Sequence, residues 1–535
     1  MQARQRVAHG AQLRHVAIGA REIHLAIGGA LGSVVAVLLQ HLAGMFGAAD
    51  ALVHRHTAVE LVLTHLQQLL QQRALGGTEV RNHGWFSVGR SVGIVSLTPN
   101  IGLDGDQTPR RAAGSTYLPR IARTMTAPVP AQSCDVLVIG AGPAGSACAQ
   151  QLARAGFKVV LTDQHEFPRD KVCGDGLIPD AHTAFGRLGV HQEVMRAAQR
   201  ATHVACIAPR GGRVDVPGRL AVLPRAELDD ILRRAAVAAG ATWLAPARFE
   251  APLLDEQRVY GAQLKIGETL HEIRTQWLVL ATGAVPQALI AAGMCERRTP
   301  SGVALRGYVR NAAMVGRISA LEVLWHKRLS KGYGWIFPCP NGVFNIGVGL
   351  AHSHSTDRSG HDTMADVNLR EMFDRFCEVY APAAELVKGG EKLGPLKGAP
   401  LRCSLEGARY SRPGLLVTGE AAGSTYAFTG EGIGKAMETG ILAAETIAEG
   451  RDTLLTDAQV RARYEAALLA LKPRFDLYER ANRVNAHPWI ADLLIWRARN
   501  NPRILRRMSA VLEEQGNPGN LVTLRGITRL FLPIK

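Results

Sequence analysis

The sequence predicts an α/β fold in which parallel strands alternate with helices, and three features of the chain support this prediction. A short apolar run, Val136 to Ile139, leads directly into a glycine-rich turn that is followed by small helix-forming residues. A second apolar run, 158–161, follows that helical stretch and completes a strand–helix–strand unit. Two later apolar runs, 277–280 and 415–417, also end in turns of small residues. This repeated order is typical of a parallel sheet.

The glycine-rich turn has the spacing Gly140-x-Gly142-x-x-Gly145, which indicates dinucleotide binding. The first glycine allows the tight turn, the second lets a pyrophosphate approach the backbone, and the third lets helix and strand pack closely. Phosphates then lie at the helix N-terminus, where unpaired N–H groups face them. Ala144 lies within the same turn, and Asp163 follows the second strand, where a carboxylate can accept ribose hydroxyls. We predict that these five residues contact the dinucleotide.

The composition is that of an ordinary folded chain. It has 535 residues, 47% of them hydrophobic and 20% charged, and a formal net charge of +16. A basic balance suits diphosphates, anionic membranes or nucleic acid, but no nucleic-acid-binding signature accompanies it, so we expect no nucleic-acid partner. The eight cysteines are scattered without zinc-ligand spacing, and the histidines at 352, 354 and 361 have the surroundings of a solvated linker. We predict reduced thiols, no metal site and a cytoplasmic protein.

Residues 1–130 differ from the rest and are predicted to be a poorly ordered or non-native extension. The first 124 residues contain 12 arginines, no lysine and eight histidines. An apolar stretch at 25–39 leaves three interpretations open: a membrane anchor, a targeting segment, or sequence upstream of a true start at Met125. Gly28, Gly29 and Gly32 weaken the membrane-helix interpretation because glycine lowers helix stability.

The remaining chain is predicted to form a nucleotide-binding domain of the Rossmann type with an inserted antiparallel-sheet domain and a helical C-terminal region. Helices are expected over about 179–200 and 363–388. The predicted parts are the nucleotide-binding domain at 131–300, a hairpin at 202–222 that joins the inserted sheet, the antiparallel-sheet substrate domain at 301–400, the return to the nucleotide-binding domain at 401–450, and the helical region at 451–535.

Three separated elements occur in the order of a known superfamily. They are the glycine-rich turn, the strand end at 281–283, and Gly419-Glu-Ala-Ala-Gly423 followed by Thr429-Gly-Glu-Gly-Ile433. This order resembles the flavoproteins of the aromatic hydroxylase type, which bind FAD. The resemblance implies that the late carboxylate, here Glu420 in place of Asp, contacts FAD, and Ala427 replaces the family's usual proline. The cofactor-binding candidates that it implies are Gly283, Glu420, Gly423, Gly430, Gly432 and Ile433.

A narrower resemblance comes from Tyr333-Gly-Trp335-Ile-Phe337-Pro, followed after eight residues by Gly-Val-Gly. It is similar to the YxWxFP…GxG signature of the geranylgeranyl reductase family, which uses reduced FAD to hydrogenate isoprenoid double bonds. The turn Cys173-Gly174 resembles that family's cysteine–glycine turn beside the flavin, and Arg225 belongs to the same likeness, which covers about 134–450. It implies that Cys173, Tyr333 and Trp335 are catalytic. Ordinary core packing is the open alternative for these three.

The resemblance implies an FAD-dependent oxidoreductase that reduces double bonds of a polyprenyl chain, an isoprenoid or lipid-like substrate, with NADPH or a ferredoxin as electron donor. The alternative is an FAD-dependent monooxygenase of the hydroxylase or halogenase kind. Its halogenase signature, Trp-x-Trp-x-Ile-Pro, differs from this chain at Tyr333 and Phe337. The arginines between 497 and 507 suit a membrane surface or a diphosphate head group, so peripheral membrane contact is a further expectation.

Overall fold

The strands that the structure describes form two large sheets, one mainly parallel and one mainly antiparallel, and a separate two-stranded sheet. The computed structural model describes residues 133–517 apart from 330, 352–353, 357–361 and 365–366. The predicted extension at 1–130, the histidines at 352 and 361, and the end of the helical region after 517 lie outside the described residues.

The elements are numbered along the chain. The strands are β1 (Ser133–Ile139), β2 (Val159–Thr162), β3 (Gly176–Leu177), β4 (Gln199–Ile207), β5 (Arg213–Val222), β6 (Thr242–Leu244), β7 (Arg248–Asp255), β8 (Arg258–Ile266), β9 (Thr269–Leu280), β10 (Gly302–Arg310), β11 (Leu321–Leu324), β12 (Gly332–Pro338), β13 (Val343–Ala351), β14 (His354–Thr356), β15 (Asp362–Met364), β16 (Glu391–Lys392), β17 (Lys397–Leu401), β18 (Ser411–Arg412) and β19 (Leu415–Val417). The α-helices are α1 (Pro143–Arg154), α2 (Pro179–Leu188), α3 (His191–Ala197), α4 (Arg225–Ala238), α5 (Gln287–Ala291), α6 (Leu369–Val379), α7 (Ala381–Gly389), α8 (Ile433–Asp452), α9 (Asp457–Ala481), α10 (Arg483–Ala486), α11 (Trp489–Arg499) and α12 (Pro502–Leu512).

The parallel sheet has the order β18-β19-β9-β1-β2-β6, and β7 and β8 extend it in antiparallel fashion beside β9. Its central strand β1 is apolar and buried from Val136 to Ile139, where both of its faces are covered. Val136 and Val138 pack with residues of α1, α8 and α9. Leu137 and Ile139 point the other way and pack with residues of the β7–β9 extension.

The antiparallel sheet has the order β16-β10-β13-β12-β11-β4-β5-β3, with β17 also paired to β10. The hairpin of β4 and β5 enters this sheet because β4 pairs in parallel with β11. Helices α6 and α7 cover one face, where Ile336 and Ile346 pack against Phe373 and Phe376. Side chains of a strand alternate between faces, so the residues next to Ile336 point to the opposite face.

The C-terminal helices contact both sheets. The hydroxyl of Tyr464 in α9 donates to the Val417 carbonyl oxygen at 2.7 Å, and this links α9 to the end of β19. Ile495 of α11 and Ile504 of α12 pack with Val214 and Val216 of β5. No helix within the described part of the chain is long and apolar enough to cross a membrane.

The fold class predicted from the sequence is confirmed, but two predicted helices are wrong in their bounds. The helix expected over 179–200 is divided because Gly189 ends α2 with a φ of 72°, and β4 begins at Gln199. The helix expected over 363–388 begins at Leu369, where the Asn368 side chain caps its N-terminus. An extended Tyr380 then separates α6 from α7.

The close approach of α8 to α1 explains a glycine in the middle of a long helix. A Cβ added at Gly440 would overlap the carbonyl oxygen of Ala144. We expect Gly440→Ala to lower the free energy of unfolding by about 1–3 kcal/mol, the usual cost of overpacking, although alanine favours helices more than glycine does. Urea unfolding curves measure this change.

Gly186 in α2 provides the matched control, because a Cβ there would meet no atom within 4 Å. Gly186→Ala should raise the free energy of unfolding by up to about 1 kcal/mol through helix propensity alone. Equal effects of the two substitutions would contradict the packing explanation.

Candidate active site

Three turns emerge side by side at the carboxyl edge of the parallel sheet. The register pairs Ile139 with Leu280 and Leu280 with Val417, so β1, β9 and β19 end at the same level. The glycine-rich turn therefore lies next to Gly283 and to the turn that carries Glu420. A Cβ added at Gly283 would stand 4.0 Å from Glu420 Oε2. The fold thus brings together three turns that are far apart in the chain.

Each glycine of the glycine-rich turn has a different structural role. Gly140 has a φ of +98°, and a Cβ there would overlap the carbonyl oxygen of Ala281. A Cβ at Gly145 would overlap the Gly140 carbonyl oxygen, so a side chain there would prevent α1 from packing against β1. Gly142 precedes α1 without a side-chain cap, which leaves the N–H groups of the first helical turn for an anionic ligand.

Two arginines stand over Gly142. A Cβ there would lie 3.6 Å from Arg169 Nη2 and 3.7 Å from Arg225 Nη2. Arg225 donates to both carboxylate oxygens of Asp229, at 2.7 and 2.8 Å, and Arg169 Nη1 lies 3.2 Å from Asp229. Arg169 Nε also lies 3.5 Å from Asp163 Oδ2. The network presents guanidinium groups at the turn, where they suit phosphate oxygens.

Asp163 lies beside the glycine-rich turn, and backbone N–H groups of the protein already donate hydrogen bonds to its carboxylate. Oδ2 accepts the Ala141 N–H and Oδ1 accepts the His165 N–H, both at 3.0 Å. An ionised carboxylate has about four acceptor positions, so capacity for a ribose hydroxyl remains. Sequence analysis included Arg225 by resemblance and missed Arg169, whose signal was its place in a basic stretch before the Cys173 turn.

The three turns open into a cavity of about 1000 Å³. Most of the predicted site residues line it, namely Gly140, Gly142, Ala144, Asp163, Cys173, Gly174, Arg225, Gly283, Tyr333, Trp335, Glu420, Gly430, Gly432 and Ile433. Gly145 and Gly423 do not line it. Gly423 has a φ of +85°, and a Cβ there would lie 2.7 Å from the Glu406 backbone nitrogen, so its glycine serves the turn and its packing.

Aromatic side chains follow β12 along the cavity. Tyr333, Trp335 and Phe337 point to one face because their spacing is two residues. Their neighbouring ring centroids are 6.2 and 6.4 Å apart. Trp325 at the end of β11 continues the row, with its ring 6.4 Å from that of Tyr333. One wall of the cavity is therefore aromatic.

The two glycines of the Gly-Val-Gly segment make room for this wall. Gly347 of β13 pairs directly with Trp335 of β12. A Cβ at Gly347 would overlap Cζ2 of the Trp335 indole and lie 2.5 Å from the Leu305 carbonyl oxygen. At Gly349 a Cβ would stand 3.4 Å from the same indole. Packing explains the spacing of the YxWxFP…GxG pattern, because the Trp335 indole lies over Gly347.

The turn that carries Cys173 is anchored to the antiparallel sheet. Asn345 Nδ2 donates to the Cys173 carbonyl oxygen at 2.8 Å, and Asn345 Oδ1 accepts from Trp335 Nε1 at 2.9 Å. Because the indole N–H is only a donor, it fixes the orientation of the amide. The buried Arg306 donates to the Lys171 carbonyl oxygen at 2.9 Å. One buried amide therefore keeps two predicted site residues in a fixed relation.

Asp175, two residues beyond Cys173, is fully buried and was not predicted. Tyr308 donates its hydroxyl to Oδ2 at 2.5 Å, and Asn345 Nδ2 donates to the same oxygen at 2.7 Å. Burial raises the pKa of this carboxyl to about 6 despite the two donors and the nearby Arg306 charge. Its partners are 133 and 170 positions away in the chain, so no local pattern could have identified it.

The C-terminal helices also line the cavity. Helices α11 and α12 contribute Ala491, Leu494, Ile495, Met508, Val511 and Leu512. Sequence analysis predicted these helices but not their place at the cavity. The available signal was the helical spacing of Leu505, Met508 and Leu512 in α12, which indicates one apolar face.

The cavity fits a dinucleotide such as FAD. It extends from the N-terminus of α1 to that of α8, where Gly432 also makes no side-chain cap. Thr282 lines it, and the buried Thr282 Oγ1 has no hydrogen-bond partner within the described residues. Unpaired backbone N–H groups, guanidinium groups and an unpaired hydroxyl group are the partners that a diphosphate and the hydroxyl groups of the attached sugars require. In the same part of the chain, no group of three His, Cys, Asp or Glu residues is placed to hold a metal.

Comparison with known proteins identifies the family. Residues 133–319 match the model of an FAD binding domain. The digeranylgeranylglycerophospholipid reductase 1 of Methanopyrus kandleri is 28% identical over 62% of this chain and 84% of that protein. The menaquinone reductase of Mycolicibacterium smegmatis is 34% identical over 365 residues, 64% of this chain and 85% of that protein. The chain belongs to the geranylgeranyl reductase family.

Membership of the geranylgeranyl reductase family makes the chain an FAD-dependent oxidoreductase, as the resemblance implied. Solved structures show the same fold at lower identity. A geranylgeranyl bacteriochlorophyll reductase-like protein from Thermoplasma acidophilum has a TM-score of 0.56 at 21% identity, over 75% of this chain and 96% of that chain. A flavin-dependent brominase has a TM-score of 0.55 at 19% identity, over 75% and 97%.

The packing of Trp335 over glycine generates a prediction. We expect Gly347→Ala to displace the indole, because the new Cβ would overlap it, and to lower the free energy of unfolding by about 1–3 kcal/mol. The displaced indole would lose its hydrogen bond to Asn345. Thermal unfolding and the tryptophan emission spectrum measure both effects.

Gly349→Ala is the matched control on the same strand, because its Cβ would stand at ordinary contact distances of 3.4 Å from Trp335 and 3.5 Å from Ala304. It should change stability by less than about 1 kcal/mol. An unchanged emission spectrum in Gly347→Ala would show that the indole does not depend on this glycine.

Proposed function

We propose that the protein reduces carbon–carbon double bonds of a polyprenyl chain, using reduced FAD. The observation that carries the proposal is the continuity of one cavity, which extends from the three turns at the sheet edge to an apolar channel with an aromatic wall. The names of two relatives, menaquinone reductase and digeranylgeranylglycerophospholipid reductase, support a hydrophobic substrate with an isoprenoid part. A prenylated quinone and a prenylated lipid are the two substrate classes that we propose.

In this proposal the turns at the sheet edge hold FAD. Gly142 and the N-terminus of α1 receive the diphosphate, and Arg169 and Arg225 offset its charge. Asp163 would accept a ribose hydroxyl, and Glu420, which lines the same cavity, would contact the sugar–phosphate or ribityl part of FAD. When bound and reduced, FAD supplies the hydride for the double bond.

The channel residues bind the hydrocarbon chain and exclude water. The apolar side chains of α11 and α12 and the aromatic row line the same cavity, so a polyprenyl chain bound there loses its contacts with water. Tyr333 and Trp335 present ring faces, which stabilise positive charge that develops on a substituted carbon. Exclusion of water and oxygen also limits side reactions of a reduced cofactor.

Of the three proposed catalytic residues, Tyr333 suits positioning better than proton transfer. Its hydroxyl donates to the Thr429 carbonyl oxygen at 2.7 Å, and burial raises the pKa of the phenol further above neutral. Trp335 is held by Asn345. Cys173 and Arg225 line the same cavity, and we propose that the Cys173 thiol borders the flavin. NADPH or a ferredoxin is proposed as the electron donor that regenerates reduced FAD.

The function is tested by anaerobic single turnover. Enzyme reduced with dithionite is mixed with a polyprenyl quinone or with a geranylgeranylated glycerophospholipid, and the products are analysed by mass spectrometry. We expect a product that gains two hydrogens per reduced bond, with matching reoxidation of the flavin spectrum. A product that forms only with oxygen and gains oxygen or halide would establish the alternative, a monooxygenase or halogenase. No alkene reduction with either substrate would reject the proposal.

We also propose peripheral contact between the C-terminal helices and an anionic membrane. Residues 489–512 contain five arginines and one aspartate, a net charge of +4. Trp489 and Trp496 are exposed by 56% and 54% although both are large apolar residues. The inner faces of the same helices line the channel. Tryptophan and arginine together suit the interface of a bilayer that holds the substrate.

Charge reversal tests the membrane contact. We expect the double substitution Arg506→Glu and Arg507→Glu, at two exposed positions, to weaken binding to vesicles containing phosphatidylglycerol by at least about tenfold, since each basic residue near such a surface contributes about 1 kcal/mol. Vesicle co-sedimentation measures binding.

The control changes the net charge equally at exposed positions elsewhere, with Arg274→Glu and Lys388→Glu. This variant should bind the vesicles as the unmodified protein does. Binding that is the same to neutral phosphatidylcholine vesicles would contradict the electrostatic part of the proposal.

A further inference from the structure

Glu431 lies in the cavity beside the aromatic row and has no role in the cofactor motifs as predicted. It lines the cavity immediately before Gly432 and the start of α8. Its backbone carbonyl accepts the Tyr426 N–H at 2.9 Å, which fixes the turn. The neighbouring Gly430 has a φ of +70°, and a Cβ there would stand 2.7 Å from the Tyr333 hydroxyl oxygen. The Tyr333 ring therefore reaches the turn that carries Glu431.

The charged groups around Glu431 would not neutralise its negative charge if its carboxyl group were ionised. Lys435, in the first turn of α8, is a nearby cation, but it is 2% exposed and is surrounded by other acids. Its Nζ lies 2.6 Å from Glu438, 2.9 Å from Glu514 and 3.7 Å from Asp180. Within the described part of the chain, Glu431 forms no ion pair.

These surroundings raise the pKa of the Glu431 carboxyl group and so favour its neutral, protonated form. Burial, and then the carboxyl groups of Asp180 and Glu514, raise the pKa of Glu431 to about 8, against the opposing effects of Thr429 and Lys435. Two carboxylates near each other cannot both ionise without cost. Glu431 therefore keeps its proton to a higher pH than an exposed glutamate does.

Two tyrosine hydroxyl groups near Glu431 already donate hydrogen bonds to backbone carbonyl oxygens. Tyr333 donates its hydroxyl to the Thr429 carbonyl oxygen, and Tyr478 donates to the Val511 carbonyl oxygen at 2.8 Å. Burial raises the pKa of the Cys403 thiol well above its ordinary value. Asp175 also lines the cavity and also has a raised carboxyl pKa. Its Oδ1 is buried, and its Oδ2 accepts hydrogen bonds from Tyr308 and Asn345.

We propose that Glu431 is the general acid of the reaction, and this inference rests on the proposed function. One carbon of the double bond receives the hydride that reduced FAD supplies, and the other receives the proton of the Glu431 carboxyl group. The π bond is consumed, two C–H bonds form, and the resulting carboxylate takes a proton from solvent. The aromatic ring of Tyr333, beside the same turn, faces the charge that develops on the carbon.

The test uses the purified FAD-loaded enzyme in anaerobic single turnover. Glu431→Gln keeps the shape of the side chain and removes the acid. We expect it to retain full FAD content and normal reduction by dithionite, and to reoxidise with a polyprenyl substrate at least about 100-fold more slowly, within the usual range for general acids. In the unmodified enzyme the rate should fall as the pH rises through about 8, because the acid form is the active one.

Glu438→Gln is the matched control, because Glu438 lies on the same helix and pairs with Lys435 but does not line the cavity. It should leave the reoxidation rate within about threefold. Infrared spectra provide an independent measurement: a protonated carboxyl C=O band that titrates near pH 8 should disappear in Glu431→Gln and persist in Glu438→Gln.

The outcomes separate this inference from the proposed function. Alkene reduction by the unmodified enzyme together with near-normal turnover in Glu431→Gln overturns the role of Glu431 and leaves the function standing. Loss of turnover in Cys173→Ala with an unaffected Glu431→Gln would assign the proton to Cys173 instead. If the unmodified enzyme reduces no alkene, the proposed function fails and this inference fails with it.

Discussion

The parallel register of β1, β9 and β19 is the constraint on which the rest of the structure depends. Strands that pair in parallel and end at one level place their following turns at one edge, where backbone N–H groups have no further strand to bond. A shift of one residue would move a turn by about 3.3 Å, longer than a hydrogen bond. The nucleotide side of the cavity therefore follows from strand pairing, and Gly140 and Gly145 are needed because their neighbours approach so closely.

The antiparallel sheet holds an apolar wall at a defined distance from the carboxyl edge of the parallel sheet. Trp335 lies over Gly347, and its indole N–H is bonded to Asn345, which also holds the Cys173 turn. Polar contacts lie behind the wall and apolar ring faces lie in front of it. This arrangement gives the cavity two ends of opposite character, with guanidinium groups at one end and aromatic and aliphatic side chains at the other. The end with the guanidinium groups suits the diphosphate of a dinucleotide, and the other end suits an apolar ligand.

Much of this could be predicted from the sequence, because the relevant signals are local. The glycine spacing, the apolar runs before small-residue turns and the alternating aromatics of β12 all lie within windows of about ten residues, and the family resemblance joined them. Bounds of helices were less predictable. Gly189 ends α2 by adopting a left-handed conformation, and Asn368 starts α6 by capping it, and each choice competes with a continuous apolar pattern.

By itself, the sequence determined the fold class, the FAD-type turns and the aromatic strand, since each depends on neighbours in the chain. Only the tertiary structure decided that Arg169 stands over Gly142, that α11 and α12 line the channel, that Asp175 is buried, and that the pKa of Glu431 is raised. The physical reason is that the pKa of a carboxyl group and the exposure of a helix face depend on what packs against them. Those partners come from remote parts of the chain and meet only in the folded protein.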